Sequence, residues 1–373
     1  MRIGIEAQRI FRNDKHGMDY VVLQEIIELQ KMQTQHEFYV FVKPGPDRCV
    51  ESSENVHVIE TDCPTYPLWE QWALPRAARK HRVELLHCTS NTAPIHCNIP
   101  LVLTLHDIIF LEPRDKSNRS LYQNMGWFYR RMDVPRILPK CRRIITVSNF
   151  EMENIISKLN IPRERMAMIY NGYNSWFRPV DDTEETYRKY ISDKGYFFFL
   201  GNTDPKKNTE RTLVAYSKYL TLSDVKRKLL MADLNPAYLD DIIRRNGIDN
   251  IRPNIVMPGY IVNNHLPFIY GSAFAFLYTS LRESFGIPLL EAMACGVPVI
   301  TSNTSSMPEI GGPDAILVNP ESSDEIAAMM LRLEREPQFY EEQKRVGLQR
   351  AKLFSWRKTA EQLLQVYENT LNT

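Results

Sequence analysis

The chain has 373 residues, of which 43% are hydrophobic and 24% are charged, and its formal net charge is +1. This composition is typical of a soluble globular protein, and the length allows two domains that each have a core. A nearly neutral chain has no overall attraction to nucleic acid or to anionic lipid, so any such contact needs a local patch.

The amino terminus and the cysteines indicate the compartment. The first residues start directly on a strand-like pattern, so no signal peptide is expected. No apolar run approaches the roughly 20 residues that span a bilayer. The cysteines at positions 49, 63, 88, 97, 141 and 295 include no Cys-x-x-Cys pair, which indicates reduced thiols rather than a disulfide framework or a zinc site. We therefore expect a cytoplasmic protein.

Short apolar runs alternate with amphipathic segments of helical spacing along the whole chain, which predicts two doubly wound α/β domains. The predicted strands are residues 2–7, 38–42, 56–60, 85–88, 101–106, 144–148, 166–170, 196–200, 228–232, 255–257, 274–279, 298–301 and 316–318. The predicted helices include residues 20–31, 150–159, 209–220, 236–245 and 356–371. The polar stretch around residues 179–192 is the predicted linker between a first domain, 1–178, and a second, 193–356.

Two stretches of the first half could contact a ligand. Residues 66–72 are aromatic and polar, and Trp69 and Trp72 could stack on sugar faces, although aromatic side chains most often fill cores. The apolar strand at 101–105 ends in His106 and Asp107. Such a pair could contact a sugar or a phosphate, but a histidine of this kind is, by itself, more often a structural residue.

Residues 122–143 interleave aromatic side chains with cations, among them Arg130 and Arg131. This pattern fits contact with an anionic lipid surface or with a pyrophosphate-linked lipid acceptor. A solvated helix face beside the core explains the same pattern equally well. Both interpretations remain open at this point.

In the second half, Gly-Asn-Thr-Asp-Pro-Lys-Lys-Asn at 201–208 follows a predicted strand and precedes a helix. A loop of turn formers with two lysines suits a diphosphate, and the lysines would offset the repulsion of nearby carboxylates. Two adjacent lysines alone are more often a solvated basic turn.

The most informative stretch is 274–320, which has the pattern of a strand, a loop, a helix and a second strand. The loop from Glu283 to Ile287 would lie at the carboxyl edge of a parallel sheet, where open α/β folds bind ligands. Gly286 allows close approach of the backbone to a ligand, and the first N–H groups of the helix suit a phosphate. Glu291, in the first helical turn, could accept hydrogen bonds from a diol such as ribose, and Glu283 could accept from another polyhydroxylated group. Alternatively, Glu291 only favours the helix dipole and Glu283 is a solvated loop charge.

This stretch resembles the donor-site signature of retaining GT-B glycosyltransferases of family 4. In that signature two glutamates separated by seven residues flank a Gly-Phe-Gly-like turn, as Glu283 and Glu291 do here, with Ser284 replacing the first glycine. The match continues through Ser302-Asn303, Met307-Pro308-Glu309 and Gly311-Gly312. This combination is far more specific than a lone Gly-x-Gly-x-x-Gly motif.

The resemblance implies an α/β GT-B fold, with two doubly wound Rossmann-like domains that face each other across a cleft. The first domain would bind the acceptor and the second the nucleotide sugar. The last helix, 357–373, would cross back to the first domain.

The resemblance also implies how the donor is held. Glu283 would meet the transferred sugar and Glu291 the ribose, while Lys207 matches the family's phosphate-binding lysine. The arginine that often follows the loop glycine is Asn202 here, so Lys206 is expected to supply a second charge, without the bidentate fork of an arginine. The other expected donor contacts are Gly201, Ser284, Phe285, Gly286 and Ile287.

Further roles follow from the resemblance alone. Gly17 and Met18 match a Gly-Ile pair whose amide groups meet the donor phosphate, and His106 matches a histidine that reaches the transferred sugar. Tyr260 lies in a turn that commonly borders the nucleotide base, where it either stacks or packs ordinarily. Glu283, His106 and Lys207 are the expected catalytic residues, acting by positioning and charge stabilisation. The residue patterns described above, rather than the resemblance, give the expected acceptor-side residues, which are Trp69, Trp72, Asp107, Arg130 and Arg131.

The resulting hypothesis is a retaining hexosyltransferase of surface-polysaccharide assembly, with GDP-mannose as first candidate donor and UDP-sugars such as UDP-glucose open. The acceptor would be a glycan or lipid-linked oligosaccharide, reached by peripheral contact with the inner face of the membrane. No nucleic acid, tightly bound cofactor or obligatory metal is expected, and the sequence contains no Asp-x-Asp. A non-catalytic sugar-nucleotide-binding relative is the alternative, but it would predict loss of Glu283, Lys207 or His106. A phosphorylase or epimerase would need other site residues.

Overall fold

The computed structural model describes residues 1–112, 121–181 and 185–372. The chain divides into two compact units, one formed by residues 1–172 with 356–373 and the other by 173–355. The stretch predicted as a linker therefore falls within the second unit, and its residues 182–184 lie outside the described ranges. In its described part, Tyr187 and Ile191 are buried, so this stretch adds apolar side chains to the unit.

A parallel sheet forms the centre of the first unit. Its strands are β1 (Arg2–Glu6), β2 (Glu37–Val42), β3 (Val56–Glu60), β4 (Leu85–Cys88), β5 (Leu101–Thr104), β6 (Cys141–Thr146) and β7 (Met166–Met168). Its helices are α1 (Gly17–Gln30), α2 (Tyr66–Leu68), α3 (Leu74–Lys80), α4 (Leu121–Ile137) and α5 (Asn149–Leu159). Within the described residues the strand order is β3-β2-β1-β4-β5-β6-β7. The order reverses between β1 and β4, so the loops after these two strands meet at a topological switch point.

The second unit has the same construction. Its strands are β8 (Tyr196–Leu200), β9 (Leu229–Ala232), β10 (Ile255–Val256), β11 (Ala273–Tyr278), β12 (Val299–Ser302) and β13 (Ile316–Val318). Its helices are α6 (Thr209–Leu222), α7 (Pro236–Asn246), α8 (Leu266–Ser272), α9 (Ile287–Ala294), α10 (Met307–Gly311), α11 (Ser323–Arg335) and α12 (Pro337–Ala351). The described strands are parallel in the order β10-β9-β8-β11-β12-β13, which puts the switch point between β8 and β11. Ligands of such sheets bind outside the carboxyl ends of the strands at this point.

The last helix, α13 (Trp356–Asn372), belongs to the first unit. It buries Leu363 and Tyr367, and the Tyr367 hydroxyl lies 2.7 Å from Nδ1 of His87 on β4. The Thr359 hydroxyl donates to the carbonyl of Tyr170 over 2.7 Å. The predicted return of the C-terminal helix is therefore confirmed, as is the two-unit α/β fold.

Among the described residues no helix combines the length and the apolar character that a membrane span requires. All six cysteines are unpaired, and Cys49 and Cys97 are the two that are not buried.

Candidate functional site

Two loops meet at the switch point of the second unit, because β8 and β11 are hydrogen-bonded neighbours. One loop is 201–208, after β8, and the other is 279–286, after β11. Asn208 joins them, since its amide nitrogen donates to the carbonyl of Thr279 over 3.0 Å and to that of Pro320 over 2.7 Å. The N–H of Leu281 donates to the carbonyl of Lys206 over 2.7 Å. These hydrogen bonds hold the two loops together at the carboxyl edge of the sheet.

Lys207 and Glu283 form an ion pair across this edge. The Nζ of Lys207 lies 2.6 Å from Oε1 of Glu283, and the two side chains are only 25% and 13% exposed. The same Nζ lies 5.6 Å from the centre of the Tyr278 ring, so an aromatic face also borders the cation. The structure thus brings together the lysine that is expected to bind phosphate and a carboxylate, although the two residues are 76 positions apart in the chain.

The loop that carries Glu283 is held from behind by hydroxyl groups that follow β12. The Ser306 hydroxyl donates to the carbonyl of Glu283 over 2.9 Å, and the Ser305 hydroxyl oxygen accepts from the N–H of Glu283 over 3.2 Å. Ser302 donates to the carbonyl of Ser280 over 2.5 Å. The serine-rich run before α10 therefore supports the carboxylate loop, which the sequence pattern did not reveal.

Gly286 is required by the tight turn that precedes α9. Its φ is +97°, and a Cβ there would lie 2.6 Å from Cε of Met307. The Phe285 side chain is only 4% exposed and packs against the edge of Phe354, so the expected donor contact of Phe285 is restricted to its backbone. Ser284 and Ile287 are partly exposed, and their contacts with the donor remain predictions.

Glu291 is a second carboxylate at the same edge. It is the fifth residue of α9 and lies in the second turn, one turn later than predicted, because the helix begins at Ile287. Burial raises the pKa of Glu291 to about 8. In the part of the chain that the structure describes, no group forms a hydrogen bond or ion pair with its carboxylate. Such a group is a candidate for binding ligand hydroxyls.

Replacement of Glu291 by glutamine should weaken nucleotide binding and stabilise the fold at alkaline pH. The folded pKa lies above the ordinary value of 4.5, so the unfolded chain ionises first and wild-type stability falls as the pH rises from 4.5 to 8. The variant lacks this loss, and it should gain about 1–3 kcal/mol over wild type at pH 8 relative to pH 4, allowing for the partial exposure of the group. Lost hydrogen bonds to the ribose should weaken nucleotide affinity about 10- to 100-fold. Thermal unfolding at both pH values and calorimetry with nucleotides measure the two effects.

Tyr270 also contributes a polar group near Glu291 and was not predicted. Burial, followed by the charge of Glu291, raises the pKa of Tyr270 well above its usual range. Its hydroxyl is buried and has no hydrogen-bond partner among the described residues. The only signal in the sequence is its place in α8, the helix that leads into β11.

The expected second phosphate contact is a lysine beside an aspartate. Asn202, which replaces the family's arginine, uses its side-chain oxygen to accept the N–H of Asp204 over 2.8 Å, so it closes the turn. The Nζ of Lys206 lies 3.7 Å from Oδ2 of Asp204. A Cβ on Gly201 would lie 3.0 Å from Cβ of Leu234, so this glycine serves close packing of the loop.

Tyr260 is 66% exposed, on the turn after β10. Ordinary packing within its own unit therefore does not account for this side chain. Stacking on a nucleotide base stays a prediction.

In the first unit, His106 follows β5 and is 6% exposed. Its Nε2 lies 3.0 Å from the carbonyl oxygen of Thr89, and because a carbonyl only accepts, Nε2 carries the proton and Nδ1 is an acceptor. Burial lowers the pKa of His106, against the opposing hydrogen bond to Thr89, and the positive charges of Arg130 and Arg9 lower it further. The lowered pKa favours the neutral imidazole, whose Nδ1 can accept a hydrogen bond.

Arg9 is a functional candidate that the sequence patterns missed. It follows β1 at the switch point of the first unit, and its Nε lies 2.9 Å from the buried Oδ1 of Asp19. Its guanidinium lies 5.6 Å from the centre of the Tyr66 ring. With Arg130, it places two positive charges near His106, an arrangement that suits an anionic ligand.

Gly17 is the first residue of α1, which begins three residues before the predicted start at Tyr20. Gly17 is exposed and Met18 partly exposed. A Cβ on Gly17 would meet no atom within 4 Å, so close packing does not require a glycine here. The phosphate contact of these amides remains a prediction.

The two tryptophans expected on the acceptor side have different surroundings. Trp69 is completely buried, and its indole N–H donates to the carbonyl of Thr61 over 2.7 Å, so the expectation that it stacks on a sugar is wrong. Trp72 is 61% exposed, with the guanidinium of Arg76 5.5 Å from its ring centre. A π-helical turn, Trp69–Ala73, separates α2 from α3 and points the two rings in different directions.

Asp107 and Arg131 have structural contacts in the first unit. Asp107 accepts the N–H of Ile109 over 3.1 Å and so caps a short helix. Arg131 donates to the carbonyl of Phe110 over 3.2 Å and lies 4.6 Å from the centre of the Trp127 ring. These contacts account for both residues without an acceptor.

A buried carboxylate network also anchors the π-helical turn. Glu70 is fully buried and accepts hydrogen bonds from Tyr66 at 2.7 Å, from Thr92 at 2.6 Å and from Tyr129. Burial, and then the charge of Asp133, raise the pKa of Glu70 to about 7. The network joins the turn to α4. No group of three histidine, cysteine, aspartate or glutamate side chains suited to a metal occurs in the described ranges.

The chain has two doubly wound units, and the second has a lysine, two carboxylates and a glycine turn at its switch point. These features place it in the class of GT-B glycosyltransferases. Comparison with known proteins agrees. The family model "Glycosyltransferase Family 4" matches residues 16–176 and "Glycosyl transferases group 1" matches residues 182–350. The chain belongs to the GT-B glycosyltransferases of family 4 and is mannosyltransferase-like.

Individual relatives are similar over most of the chain. O-antigen chain mannosyltransferase B of Escherichia coli is 29% identical, over 81% of this chain and 78% of that protein. Serotype-specific mannosyltransferase WbdA of Escherichia coli is 26% identical over 77% of this chain, which spans only 36% of that longer protein. The crystal structure of Anabaena HepE in complex with UDP superposes with a TM-score of 0.74 at 16% identity, covering 99% of this chain and all of that one, and shows the fold.

Proposed function

We propose that this protein is a retaining hexosyltransferase that transfers mannose from GDP-mannose to a glycan or lipid-linked oligosaccharide. The observation that carries the proposal is the Lys207–Glu283 pair at the switch point of the second unit, beside the unpaired carboxylate of Glu291. In this assignment Lys207 binds the diphosphate, Glu283 binds the hydroxyl groups of the transferred sugar, and Glu291 binds the ribose.

The reaction requires a leaving diphosphate and an acceptor hydroxyl on the same face of the sugar. The bond from the anomeric carbon to the phosphate oxygen breaks, the acceptor oxygen forms the new bond, and the leaving phosphate takes the acceptor's proton. Lys207 would stabilise the charge that develops on the diphosphate, and Glu283 would fix the orientation of the sugar. The roles of His106, Gly17 and Met18 remain predictions from the resemblance.

The similarity to O-antigen mannosyltransferases supports mannose as the sugar and surface polysaccharide as the product. The binding of UDP by HepE supports a UDP-sugar as the alternative donor. Calorimetry with GDP, UDP and ADP separates these donors. We expect GDP to bind most tightly. Preferential binding of UDP would indicate a UDP-sugar as the donor in place of GDP-mannose. If none of the three nucleotides bound, the assignment as an enzyme would be contradicted.

Retention of configuration has its own measurement. NMR of the product of transfer to a simple mannoside acceptor identifies the anomeric configuration of the new glycosidic bond. We expect this configuration to match that of the donor, and the opposite configuration would contradict the same-face reaction.

Peripheral membrane contact is proposed for one face of α4. Met125, Phe128 and Met132 are 70%, 58% and 42% exposed and recur at helical spacing on one side, with Arg131 and Arg136 on the same helix. An apolar stripe flanked by cations is the pattern of helices that lie in a bilayer interface.

Replacement of Phe128 by aspartate should therefore reduce binding to vesicles that contain anionic lipid by about tenfold, because an apolar contact is lost and a repulsive charge is added. Cosedimentation measures this binding. Trp176, 50% exposed in the second unit, provides the matched control, and Trp176→Asp should bind like wild type. An equal loss of vesicle binding in both variants, or wild-type vesicle binding by Phe128→Asp, would indicate that this face of α4 contacts solvent and not the membrane.

A further inference from the structure

A groove of about 600 Å³ lies on the first unit, and Trp72, expected on the acceptor side, is the lining residue with a role assigned so far. Arg79 in the last turn of α3, Ile99 just before β5 and Lys140 just before β6 line it. Since the strands are parallel, these positions mark the edge of the sheet where strands begin. His106 follows the end of β5, at the opposite edge. The groove is therefore a separate place on the unit, of a size common for ligand pockets.

The lining of the groove combines an aromatic face with hydrogen-bonding groups. Trp72 forms one wall with its largely exposed indole. Arg79 uses Nε to donate to the carbonyl of Pro75 over 3.2 Å. Within the described residues its two terminal nitrogens, and the exposed side chains of His96 and Asn98, form no hydrogen bond or ion pair. These groups are available to a ligand that has hydroxyl groups on one side and apolar C–H groups on the other.

The groove continues into a second depression of about 380 Å³, which shares Gln71 and Ile95 with it. Gln71 fixes the boundary, since its amide nitrogen donates to the carbonyl of Ala93 over 3.0 Å and to the Tyr129 hydroxyl over 2.7 Å. Its side-chain oxygen accepts the N–H of Ile95 over 2.8 Å. The two adjacent depressions are called the trough below, and their combined length suits a chain-like ligand better than a single ion.

We propose that this trough binds a segment of the acceptor glycan distant from the sugar that is extended. Sugar rings present an apolar face that stacks on an indole and hydroxyl groups that pair with guanidinium, imidazole and amide groups. A lipid chain would leave Arg79, His96 and Asn98 without partners, and a nucleic acid would require a row of cations. The proposal rests on the proposed function, and it extends that function to preference for long acceptors.

Cys97 allows the occupant to be detected without any enzymatic activity. Its half-buried thiol lines the groove, and Cys49 is the other cysteine that is not buried. In the full chain with Cys49→Ser, iodoacetamide should therefore modify Cys97. A long mannan oligosaccharide should slow this alkylation at least about threefold, and GDP should not. Protection should be lost in Trp72→Ala, and it should persist in Trp176→Ala. Protection by phosphatidylglycerol vesicles but not by mannan, or no protection by mannan, would overturn the proposal.

Kinetics provide the second arm of the test. In Trp72→Ala and Arg79→Ala, the ratio of KM for the long mannan oligosaccharide to KM for mannobiose should rise about tenfold over wild type, equivalent to about 1.4 kcal/mol. The ratio in Trp176→Ala should equal that of wild type. An unchanged ratio in both trough variants would contradict the glycan assignment. If wild type hydrolyses no nucleotide sugar, the proposed function fails, and the alkylation of Cys97 still decides whether the trough binds glycan.

Discussion

Replacement of Glu283 by alanine is expected to reduce turnover about 100- to 1,000-fold, the usual effect of removing a group that acts on the reacting centre. Nucleotide affinity should change less than about threefold, because the diphosphate contact is assigned to Lys207, whose Nζ loses its 2.6 Å carboxylate partner and keeps its charge. Steady-state kinetics and calorimetry with the free nucleotide measure the two quantities separately.

Glu210 provides the matched control for this substitution. It lies on α6 of the same unit and pairs with Arg245 at 3.4 Å, with 40% of its side chain exposed, so Glu210→Ala removes an ion-paired carboxylate from outside the site. We expect wild-type turnover from Glu210→Ala. If Glu283→Ala also had wild-type turnover, Glu283 would be only a solvated loop charge and not a residue of the site.

Replacement of Lys207 by alanine is expected to weaken binding of the nucleotide diphosphate by about 2–5 kcal/mol, the usual loss when one partner of a largely buried charge contact is removed. The lysine is only 25% exposed and is held by Glu283 and the Tyr278 ring, so bulk water screens it weakly. Calorimetry should show the loss for GDP and no change for guanosine, which has no phosphate.

Lys206, the expected second phosphate contact, is the comparison for Lys207, because it is the neighbouring residue in the same loop. It is 37% exposed and lies 3.7 Å from Asp204, so Lys206→Ala should cost less than about 1 kcal/mol. Equal losses in the two variants would indicate a diffuse basic loop rather than a placed phosphate contact.

The periodicity of the sequence is sufficient for the fold because buried parallel strands are continuous apolar runs. All thirteen predicted strands coincide with strands of the described residues, with ends shifted by up to three residues. β6 begins at Cys141 rather than at residue 144. Arg142 and Arg143 interrupt the apolar pattern, yet Arg143 pairs with Val102 of β5, and the register shifts at Arg142. The same periodicity places both loops after strands, and the resemblance to family 4 predicts that Lys207 and Glu283 bind the same donor.

The remaining parts of the site depend on contacts through space. Trp69 and Trp72 are three residues apart in one π-helical turn, and one is buried while the other is exposed. Arg9 and Tyr270 belong to no motif, and they become site candidates only through their nearness to His106 and Glu291. Sequence patterns report burial periodicity well, but they do not report which side chain a fold turns toward a ligand.

In the proposed function, the second unit binds and activates a nucleotide sugar at the sheet edge that carries Lys207, Glu283 and Glu291. Hydrolysis of GDP-mannose, UDP-glucose and ADP-glucose without acceptor, followed as release of nucleotide and sugar, tests this proposal most directly. We expect slow release of GDP and mannose in equal amounts from GDP-mannose, and we expect Glu283→Ala to abolish this release almost completely. No hydrolysis of any donor, together with no nucleotide binding, would contradict it.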